Sequence, residues 1–329
     1  MKKKLIGLIP IGLMLVLSIS GCVEEESVEL QDVTVKLKWL HCVQFAGLYI
    51  ANEKGYYADE NLNVTIEETD FTNEPVDVIA EGNAEFGVDD ADRILVKMGE
   101  GASLKTIGVI FRIGPLGYVS LKDSNITIPT DFVGKNIGLT PDAHAMHSAV
   151  VKKLGMDPGS MTVINGSYNY TPLITGEYDV FTVYVTDETY HITEEEGHEL
   201  NVILPSDYGV SFYADSIFTS DEIIENDPEL VEKFLRATLK GWQYALENKE
   251  EALDVTEKYE VGRYANREYE EYIYDHQFPL IHTGESNVGW MSSERWQEMY
   301  DILNDYGEIE TGFDVSQAYT MQFLESIYS

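Results

Sequence analysis

The stretch KWLHCVQFAGLYIANEKGYY, from Lys38 to Tyr57, brings an aromatic ring and two neutral hydrogen-bonding groups together. Trp39 ends an alternating segment, and His41 and Gln44 follow on the loop and the first turn of a predicted helix. An indole plate beside an imidazole and a carboxamide suits a flat, polar, nitrogen-bearing ring. We therefore predict that Trp39, His41 and Gln44 contact a ligand. The alternative for Trp39 is a core position on the apolar face of its strand.

Three acidic residues, Asp89, Asp90 and Asp92, follow a short apolar segment. One of these carboxylates, for which we choose Asp90, is expected to accept a hydrogen bond from a ring amine. The others are predicted to cap the helix that follows, because Asp commonly satisfies N–H groups of the first turn. No metal site is predicted, because nothing nearby supplies a full set of ligands.

Arg112 and His144 are the candidates for binding an anion. A buried Arg112 would hold a carboxylate, a sulfonate or a phosphate, and an ion pair between two lobes is the alternative. His144 and His147 lie three residues apart at a predicted helix start, whose free N–H groups favour an anion or a carbonyl. Two histidines without a third ligand are weak evidence for zinc.

The charge of the chain excludes one class of function. It has 58 acidic and 22 basic residues, which give a net charge of -36. Such a surface repels the phosphate backbone, so we exclude nucleic acid as a partner.

The N-terminus predicts an exported lipoprotein. Three lysines precede an apolar run from Leu5 to Ile19, which is too short for a permanent membrane span. The run ends in Ile19-Ser20-Gly21-Cys22, a lipobox. We predict a signal peptide over 1–21, lipidation of Cys22 and an acidic tether over 22–32, and hence a lipid anchor on the extracytoplasmic face of the cell membrane. An ordinary signal peptide with a chance cysteine is the alternative.

Lipidation of Cys22 would leave Cys42 as the single thiol of the chain. One cysteine cannot form an internal disulfide, so the core has to be stabilised by burial.

Strand-like and helix-like spacings succeed one another along the chain. Val33 to Trp39 alternates, Phe45 to Asn52 has helical spacing, and Leu62 to Ile66 alternates again. These segments predict a parallel strand pair with a helical crossover. The pattern repeats, restarts near Asp131, and ends in a helical tail without strands.

Two α/β units in series with a helical tail predict a two-lobed molecule. We assign 33–117 and 218–329 to lobe 1 and 122–212 to lobe 2, joined by two crossing strands near Tyr118 to Leu121 and Ser211 to Ile217. Ligands of open α/β sheets lie beyond the carboxyl ends of the strands, so the site is expected in the cleft between the lobes.

Five segments resemble one family: KWLHCVQFAGLYIANEKGYYADENLNVTI, AEFGVDDAD, VIFRIGPLGYVSLKDSNI, DFVGKNIGL and YGVSFYADSIFTSDEI. They are similar to the thiamine-pyrimidine-synthase-like family of ABC-transporter solute-binding proteins, and the resemblance covers nearly the whole mature chain. It implies an α/β, two-lobed periplasmic-binding-protein fold of type II, with two hinge-crossing strands and the helical tail packed on the first lobe. It also implies hinge closure around one small molecule and delivery to a membrane permease powered by a cytosolic ATPase. We expect a monomer without a cofactor.

The resemblance adds residues to the candidate site. It implies that Tyr184 and Glu188, at the end of the strand in GEYDVFTVYVTDET, point into the cleft. Tyr213 and Asp215 lie on the returning strand and are expected to close the pocket floor.

The aromatic, histidine-bearing site favours a thiamine-precursor pyrimidine or a similar N-heterocycle as the ligand. Arg112 and the helix start at Ala143 keep sulfonate, taurine and nitrate as alternatives, and riboflavin would need a larger cleft. An enzyme is not predicted, because the cysteine-rich iron motif of the related pyrimidine synthases, which consume a histidine and a pyridoxal phosphate, is absent. A sensor ectodomain is a further alternative and would need a separate signalling partner.

Overall fold

A computed structural model describes residues 30–260, 266–284 and 287–329 of the chain. The predicted signal peptide over 1–21, the lipidation site Cys22 and most of the predicted tether lie outside these residues.

The described residues form ten strands in two five-stranded sheets. In chain order the strands are β1 (Gln31–Leu37), β2 (Leu62–Glu67), β3 (Phe86–Asp89), β4 (Leu104–Phe111), β5 (Leu116–Leu121), β6 (Asn136–Leu139), β7 (Thr162–Asn165), β8 (Val180–Tyr184), β9 (Leu200–Ile203) and β10 (Ala214–Ser220). The first sheet has the order β2-β1-β3-β10-β4 and the second the order β7-β6-β8-β5-β9. In the first sheet β2, β1 and β3 are parallel, and β10 is antiparallel to its neighbours β3 and β4. In the second sheet β7, β6 and β8 are parallel, and β5 is antiparallel to its neighbours β8 and β9. This is the predicted α/β class with two sheets in series.

The helices cover both sheets and continue into the tail. They are α1 (Ala46–Glu53), α2 (Tyr56–Asp59), α3 (Pro75–Ala80), α4 (Ala91–Gly99), α5 (His144–Lys153), α6 (Thr171–Ile174), α7 (Glu188–Tyr190), α8 (Asp221–Asn226), α9 (Pro228–Glu247), α10 (Lys249–Thr256), α11 (Arg267–Ile281), α12 (Ser293–Tyr306) and α13 (Gln322–Ile327). A wider turn, His191–Glu195, continues α7, and a short tight turn, Val43–Phe45, precedes α1. Among the described helices, none has the length and apolar character that crossing a bilayer requires.

Close packing of α1 on α9 fixes the loop that follows β1. A Cβ atom added to Gly241 would lie 2.1 Å from the carbonyl oxygen of Gly47, and one added to Gly47 would meet the ring of Trp242 at 2.2 Å. The two backbones therefore approach as closely as glycine allows. The carboxyl side of α9 is anchored to the start of α1, so the segment from Trp39 to Gln44 has a rigid support.

The helical tail packs on the core of the first sheet, as predicted. Trp296 and Met299 of α12 and Leu324 of α13 are buried in the same hydrophobic cluster as Val35 and Val88. This burial removes large apolar surfaces from water and provides most of the stabilisation of the tail.

The tail also contacts the side of the molecule that holds the second sheet. Ile302 of α12 packs against the core of that sheet, and Lys152 of α5 forms an ion pair with Asp305 of α12. The tail therefore touches both sheets, which the sequence pattern did not predict.

Two connections pass between the sheets. One is the short segment between β4 and β5, and the other leads from β9 to β10. They run side by side where the Gly114 N–H donates to the carbonyl oxygen of Phe212 at 2.8 Å. The crossing strand predicted near Ser211 to Ile217 is a strand only from Ala214, where β10 begins, and a tight turn, Pro205–Tyr208, and a left-handed Gly209 precede it. The exact lobe boundaries stay a prediction.

Candidate functional site

A cavity of about 290 Å³ lies between the two sheets. Residues that follow β1, β2 and β3 line it from the first sheet, and residues at the ends of β6, β7 and β8 line it from the second. These are the carboxyl ends of parallel strands, where open α/β sheets bind their ligands.

The floor of the cavity is a buried cluster around one lysine. Lys38 Nζ donates to Asp90 Oδ1 at 2.6 Å and lies 2.7 Å from Asp215 Oδ1. The side chains of Lys38 and Asp215 are only 9% and 1% exposed. Gln44 Nε2 donates to both carboxylate oxygens of Asp215, at 2.9 and 3.0 Å. Because burying a charge is costly unless it is paired, the stability of each member depends on the others.

The electrostatics of the cluster keep its lysine protonated. Burial alone would lower the pKa of Lys38, but Asp215 and Asp90 raise it well above its ordinary value. Burial raises the pKa of Asp215 to about 6, and the nearby Lys38 limits that rise. The cluster is therefore a fixed cation between two carboxylates.

Tyr184 connects the floor to the second sheet. Its hydroxyl accepts a hydrogen bond from Lys38 Nζ at 2.7 Å and donates to Asp90 Oδ1 at 3.2 Å. Tyr184 ends β8, whereas Lys38 and Asp90 follow β1 and β3. The hydroxyl thus bridges the two sides of the cleft inside the cavity.

Exposed aromatic rings line the cavity on both sides. Trp39 and Phe71 come from the first sheet and Tyr168 from the second, and they are 43%, 61% and 56% exposed. Trp39 and Phe71 meet edge to face, with ring centroids 5.5 Å apart. Large aromatic rings left open to solvent in a cleft offer faces on which a planar ligand can stack.

The polar lining of the cavity is predominantly acidic. Its carboxyl groups belong to Glu74, Asp90, Asp142, Asp187 and Glu188. The basic residues that line it, Lys38 and Arg93, are both paired, since Arg93 Nη1 lies 2.7 Å from Glu74 Oε2.

Two acids on the second-sheet side differ from ordinary surface carboxylates. Burial and, to a smaller extent, the nearby Asp187 raise the pKa of Glu188 to about 8, so Glu188 can hold a proton near neutral pH. Glu188 Oε2 accepts from the Tyr184 N–H at 2.8 Å. Asp142 Oδ1 is buried and has no hydrogen-bond partner among the described residues. A bound ligand with N–H groups would supply such a partner.

The structure brings together five of the nine predicted ligand-binding residues. The five that line the cavity are Trp39, Gln44, Asp90, Tyr184 and Glu188. Each lies within a few residues of the carboxyl end of a strand, which is the local signal on which the prediction rested.

His41 and Arg112 do not line the cavity. His41 Nδ1 lies 3.0 Å from the hydroxyl of Tyr49, and its ring packs near Tyr259. The guanidinium of Arg112 donates to Thr283 Oγ1 at 3.2 Å and to the Trp290 carbonyl at 3.3 Å. Both side chains face partners supplied by the helical tail or by α1, and these placements do not favour their predicted contact with a ligand.

His144 and Tyr213 also lie outside this cavity. His144 begins α5 and is half-buried, while His147 is buried, lies 3.0 Å from the Tyr118 hydroxyl, and has a pKa lowered by burial to about 4. The Tyr213 hydroxyl accepts from the Ser292 N–H at 3.0 Å. Tyr213 lines a smaller space of about 50 Å³ beside the two connections. A ligand contact by His144 or Tyr213 stays a prediction.

The sequence interpretation did not select Lys38 and Arg93, the basic residues of the cavity. A signal was present for Lys38, because it directly precedes Trp39 at the end of a strand in a chain with few basic residues. Arg93 lies in the first turn of α4, beside the acidic residues that were selected. Neither ion pair could be assigned from spacing alone.

Comparison with known proteins identifies one family profile. The family described as NMT1/THI5 like matches residues 43–252. Three relatives align with this chain over most of their length. The riboflavin-binding protein RibY of Chloroflexus aurantiacus is 24% identical over 90% of this chain and 86% of its own. The formylaminopyrimidine-binding protein of Halalkalibacterium halodurans is 25% identical over 85% and 87%. A protein of Legionella pneumophila named 4-amino-5-hydroxymethyl-2-methylpyrimidine phosphate synthase is 26% identical over 89% and 92%.

Solved structures share the fold. The periplasmic sulfonate-binding protein SsuA of Methylobacillus flagellatus superposes with a TM-score of 0.70 and 15% identity, over 91% of this chain and 94% of its own. The periplasmic nitrate-binding protein NrtA of Synechocystis superposes with a TM-score of 0.62 and 14% identity, over 91% and 88%. At such low sequence identities the similarity establishes the fold, and it does not identify the ligand of this chain.

Proposed function

Because this chain belongs to the NMT1/THI5-like family, we propose that it is the solute-binding protein of an ABC importer and captures a small N-heterocycle. A thiamine-precursor pyrimidine is the ligand that we place first. The protein is held at the extracytoplasmic face of the membrane by a lipid on Cys22 and delivers its ligand to a permease and its ATPase. The observation that carries this proposal is a cavity with exposed aromatic rings and a predominantly acidic polar lining.

The charge of the cavity argues against an anionic ligand. A sulfonate or a nitrate would enter a space lined by four acidic side chains besides the protonated Glu188, in which both basic side chains are already paired. Like charges at close range in a partly buried site repel strongly. The guanidinium that could have held an anion, Arg112, is engaged by Thr283 and Trp290 outside the cavity. A ring that carries amino groups fits the carboxylates better, since it donates hydrogen bonds to them.

The size of the cavity favours a small ligand. Its volume of about 290 Å³ lies at the lower end of the range of roughly 300–1,000 Å³ in which proteins bind small molecules. A single substituted ring with faces for stacking fits this space more readily than a three-ring flavin with a ribityl chain.

The mechanism is capture by hinge closure. The ring stacks on Trp39 and meets Phe71 edge to face, because these two rings are nearly perpendicular. It lies above the Lys38 cluster, which is already ordered by its own hydrogen bonds. Tyr168, Asp142 and Glu188 complete the hydrogen bonds and contacts from the other side as water leaves. The permease then recognises the closed form.

The chemistry of Lys38 supports a binding protein over a pyridoxal-phosphate enzyme. It is the lysine that lines the described part of the cavity, and its ammonium lies between two carboxylates that raise its pKa. An imine forms from a neutral amine, so a lysine held as a cation is poorly suited to bind such a cofactor. The Legionella relative named as a synthase is the reason to test this point directly.

A thermal-shift screen followed by calorimetry tests the proposal. The panel contains thiamine, hydroxymethyl and formylamino pyrimidines, riboflavin, taurine, an alkanesulfonate and nitrate. A ligand at 100 times its Kd stabilises the native state by about 2.7 kcal/mol, so binding raises the melting temperature with concentration. We expect a shift with a pyrimidine and none with nitrate or sulfonate. A shift with the anions alone would overturn the ligand class and leave the transport role in place.

A further inference from the structure

We propose that α11 is a strap between the two sides of the cleft and that Tyr269 is a positioning residue for the ligand site. The inference rests on the proposed function, because its main consequence is a slower release of the bound solute. Tyr269 itself does not line the cavity, and it acts through Asp187, which does.

One face of α11 is fixed to the first-sheet side. Glu270 Oε2 accepts from the Val43 N–H at 2.7 Å, and Gln277 Nε2 donates to the Val43 carbonyl at 3.1 Å. Glu270 and Gln277 are 3% and 1% exposed. Near the carboxyl end of the helix, the Leu280 carbonyl accepts from the Arg112 N–H at 3.0 Å. Since Val43 lies in the turn between Trp39 and α1, α11 moves with the loop that carries Trp39 and Gln44.

The other face of α11 reaches the second-sheet side. The Tyr269 hydroxyl donates to Asp187 Oδ1 at 2.6 Å, and the Tyr272 hydroxyl donates to Thr189 Oγ1 at 3.0 Å. The ring of Tyr190 packs between them, with centroids 5.1 Å from Tyr269 and 5.4 Å from Tyr272. Thr189 belongs to α7, and Asp187 is the residue before this helix. Both lie a few residues after Tyr184, the last residue of β8.

This arrangement couples the strap to the cavity. A hydroxyl that donates to a carboxylate forms one of the stronger hydrogen bonds in proteins, so Tyr269 restricts the orientation of Asp187. His191 Nε2 also lies near this carboxylate, 3.6 Å from the same oxygen. Moving the second-sheet side away from the first must separate α7 from α11 and break both tyrosine contacts. The strap therefore holds the closed form and should lengthen the residence of the ligand.

Three Tyr→Phe variants on one helix provide a matched test. Tyr269→Phe and Tyr272→Phe each remove a hydroxyl that crosses to α7. Tyr274→Phe is the control, because its hydroxyl donates to the Ala245 carbonyl at 2.8 Å within the first-sheet side. Stopped-flow tryptophan fluorescence of the purified chain, with the pyrimidine that shifts its melting temperature most, measures kon and koff. The same preparations are melted to measure stability.

We expect Tyr269→Phe to raise koff by about tenfold with little change in kon, since interface changes act mostly on dissociation. Tyr272→Phe should raise koff by about threefold, because its acceptor is a neutral hydroxyl. Tyr274→Phe should lower the melting temperature and leave koff unchanged. A double variant with Asp187→Asn should release ligand no faster than the faster single variant, because the two residues act as a unit. Unchanged koff in Tyr269→Phe, or an equal rise in Tyr274→Phe, would overturn the strap.

Hydrogen exchange of the ligand-free protein separates this inference from the proposed function. Thr189 and Tyr190 are buried and their side chains contact Tyr272 and Tyr269 of α11. Tyr269→Phe should increase the amide exchange of these two residues, whereas Tyr274→Phe should not. If no compound of the panel binds, the proposed function fails, and the exchange result alone then decides whether the strap exists.

Discussion

The two halves of the cavity are built differently. On the first-sheet side, Lys38, Asp90 and Asp215 form a buried cluster in which every charge faces an opposite charge. On the second-sheet side, Tyr168 is 56% exposed and Asp142 Oδ1 has no partner among the described residues. Both halves offer aromatic rings for stacking, since Trp39 and Phe71 of the first half are also exposed. The buried charges of the first half are already paired without a ligand, whereas the second half has an open hydrogen-bonding position.

This difference indicates a division of tasks. A half whose hydrogen bonds are complete in advance loses little entropy on binding, so it suits the first docking of a ligand. A half with open positions gains its partners only when a ligand arrives and the cleft closes. Changes in the buried Lys38 cluster of the first half should therefore reduce both stability and affinity, whereas changes in the second half should act on affinity and leave stability nearly intact.

The largest effect is expected from Lys38→Met. The substitution removes the cation and leaves Asp90 and Asp215 close together, one of them 1% exposed. Breaking a buried ion pair by deleting one partner costs about 3–5 kcal/mol, and we expect a loss of that order in the free energy of unfolding. Urea unfolding measures it. The double variant with Asp215→Asn should recover part of the loss, and a change below about 1 kcal/mol in the single variant would contradict the view of the first half as a coupled cluster.

Trp39→Ala should separate affinity from stability within the first half. Trp39 is 43% exposed and meets Phe71 at the cavity, outside the buried cluster. Loss of stacking and apolar contact should weaken binding by about 1–3 kcal/mol, with little change in the melting temperature. Calorimetric titration checks the affinity. An unchanged Kd would remove Trp39 from the site.

The pH dependence of stability should distinguish Glu188 from the ion-paired acids. The pKa of Glu188 in the folded state is about 8, which is higher than that of a free glutamic acid. At a pH between the unfolded-state and folded-state pKa values, the native state therefore holds a proton that the unfolded state has lost. Stability from this group is therefore complete at low pH and is lost as the pH rises towards 8. Glu188→Gln should reduce this loss by up to about 3 kcal/mol in urea unfolding at pH 5 and pH 8, because each pH unit between the two pKa values changes stability by about 1.4 kcal/mol. Asp89, whose pKa burial raises to about 8, should keep part of the slope in the variant. Equal slopes in both proteins would contradict a protonated Glu188.

The sequence predicted those features of the site that depend on neighbours along the chain. Alternation in β1 and its end at Leu37 place Trp39 and Gln44 at the cavity, because residues past a strand end lie at the edge of the sheet whatever the rest of the fold does. The same holds for Tyr184 and Glu188 after β8. These predictions needed only periodicity and the direction of the chain.

Partners that are distant in the sequence could not be predicted in the same way. Arg112 is held by Thr283, which lies 171 residues further along the chain, and Lys38 reaches Tyr184 across 146 residues. Which carboxylate or carbonyl a buried cation meets depends on how the tail packs on the sheets. No spacing in the sequence encodes that choice, so neither the partners of Arg112 nor the place of Lys38 in the cavity could be predicted.

Asp142→Asn should produce the smallest change in stability, and the direction of its effect on binding reports the charge of the ligand. Asp142 Oδ1 has no partner among the described residues. The substitution should therefore change the free energy of unfolding of the protein by no more than about 0.5 kcal/mol. If the ligand donates N–H groups to the carboxylate, the neutral amide should weaken binding by about 1–2 kcal/mol, because hydrogen bonds to charged groups are the stronger ones. If the ligand is an anion, removal of a like charge should tighten binding instead. Calorimetric titration gives the sign of the change in Kd. Tighter binding would contradict the view that the second half accepts hydrogen bonds from the ligand.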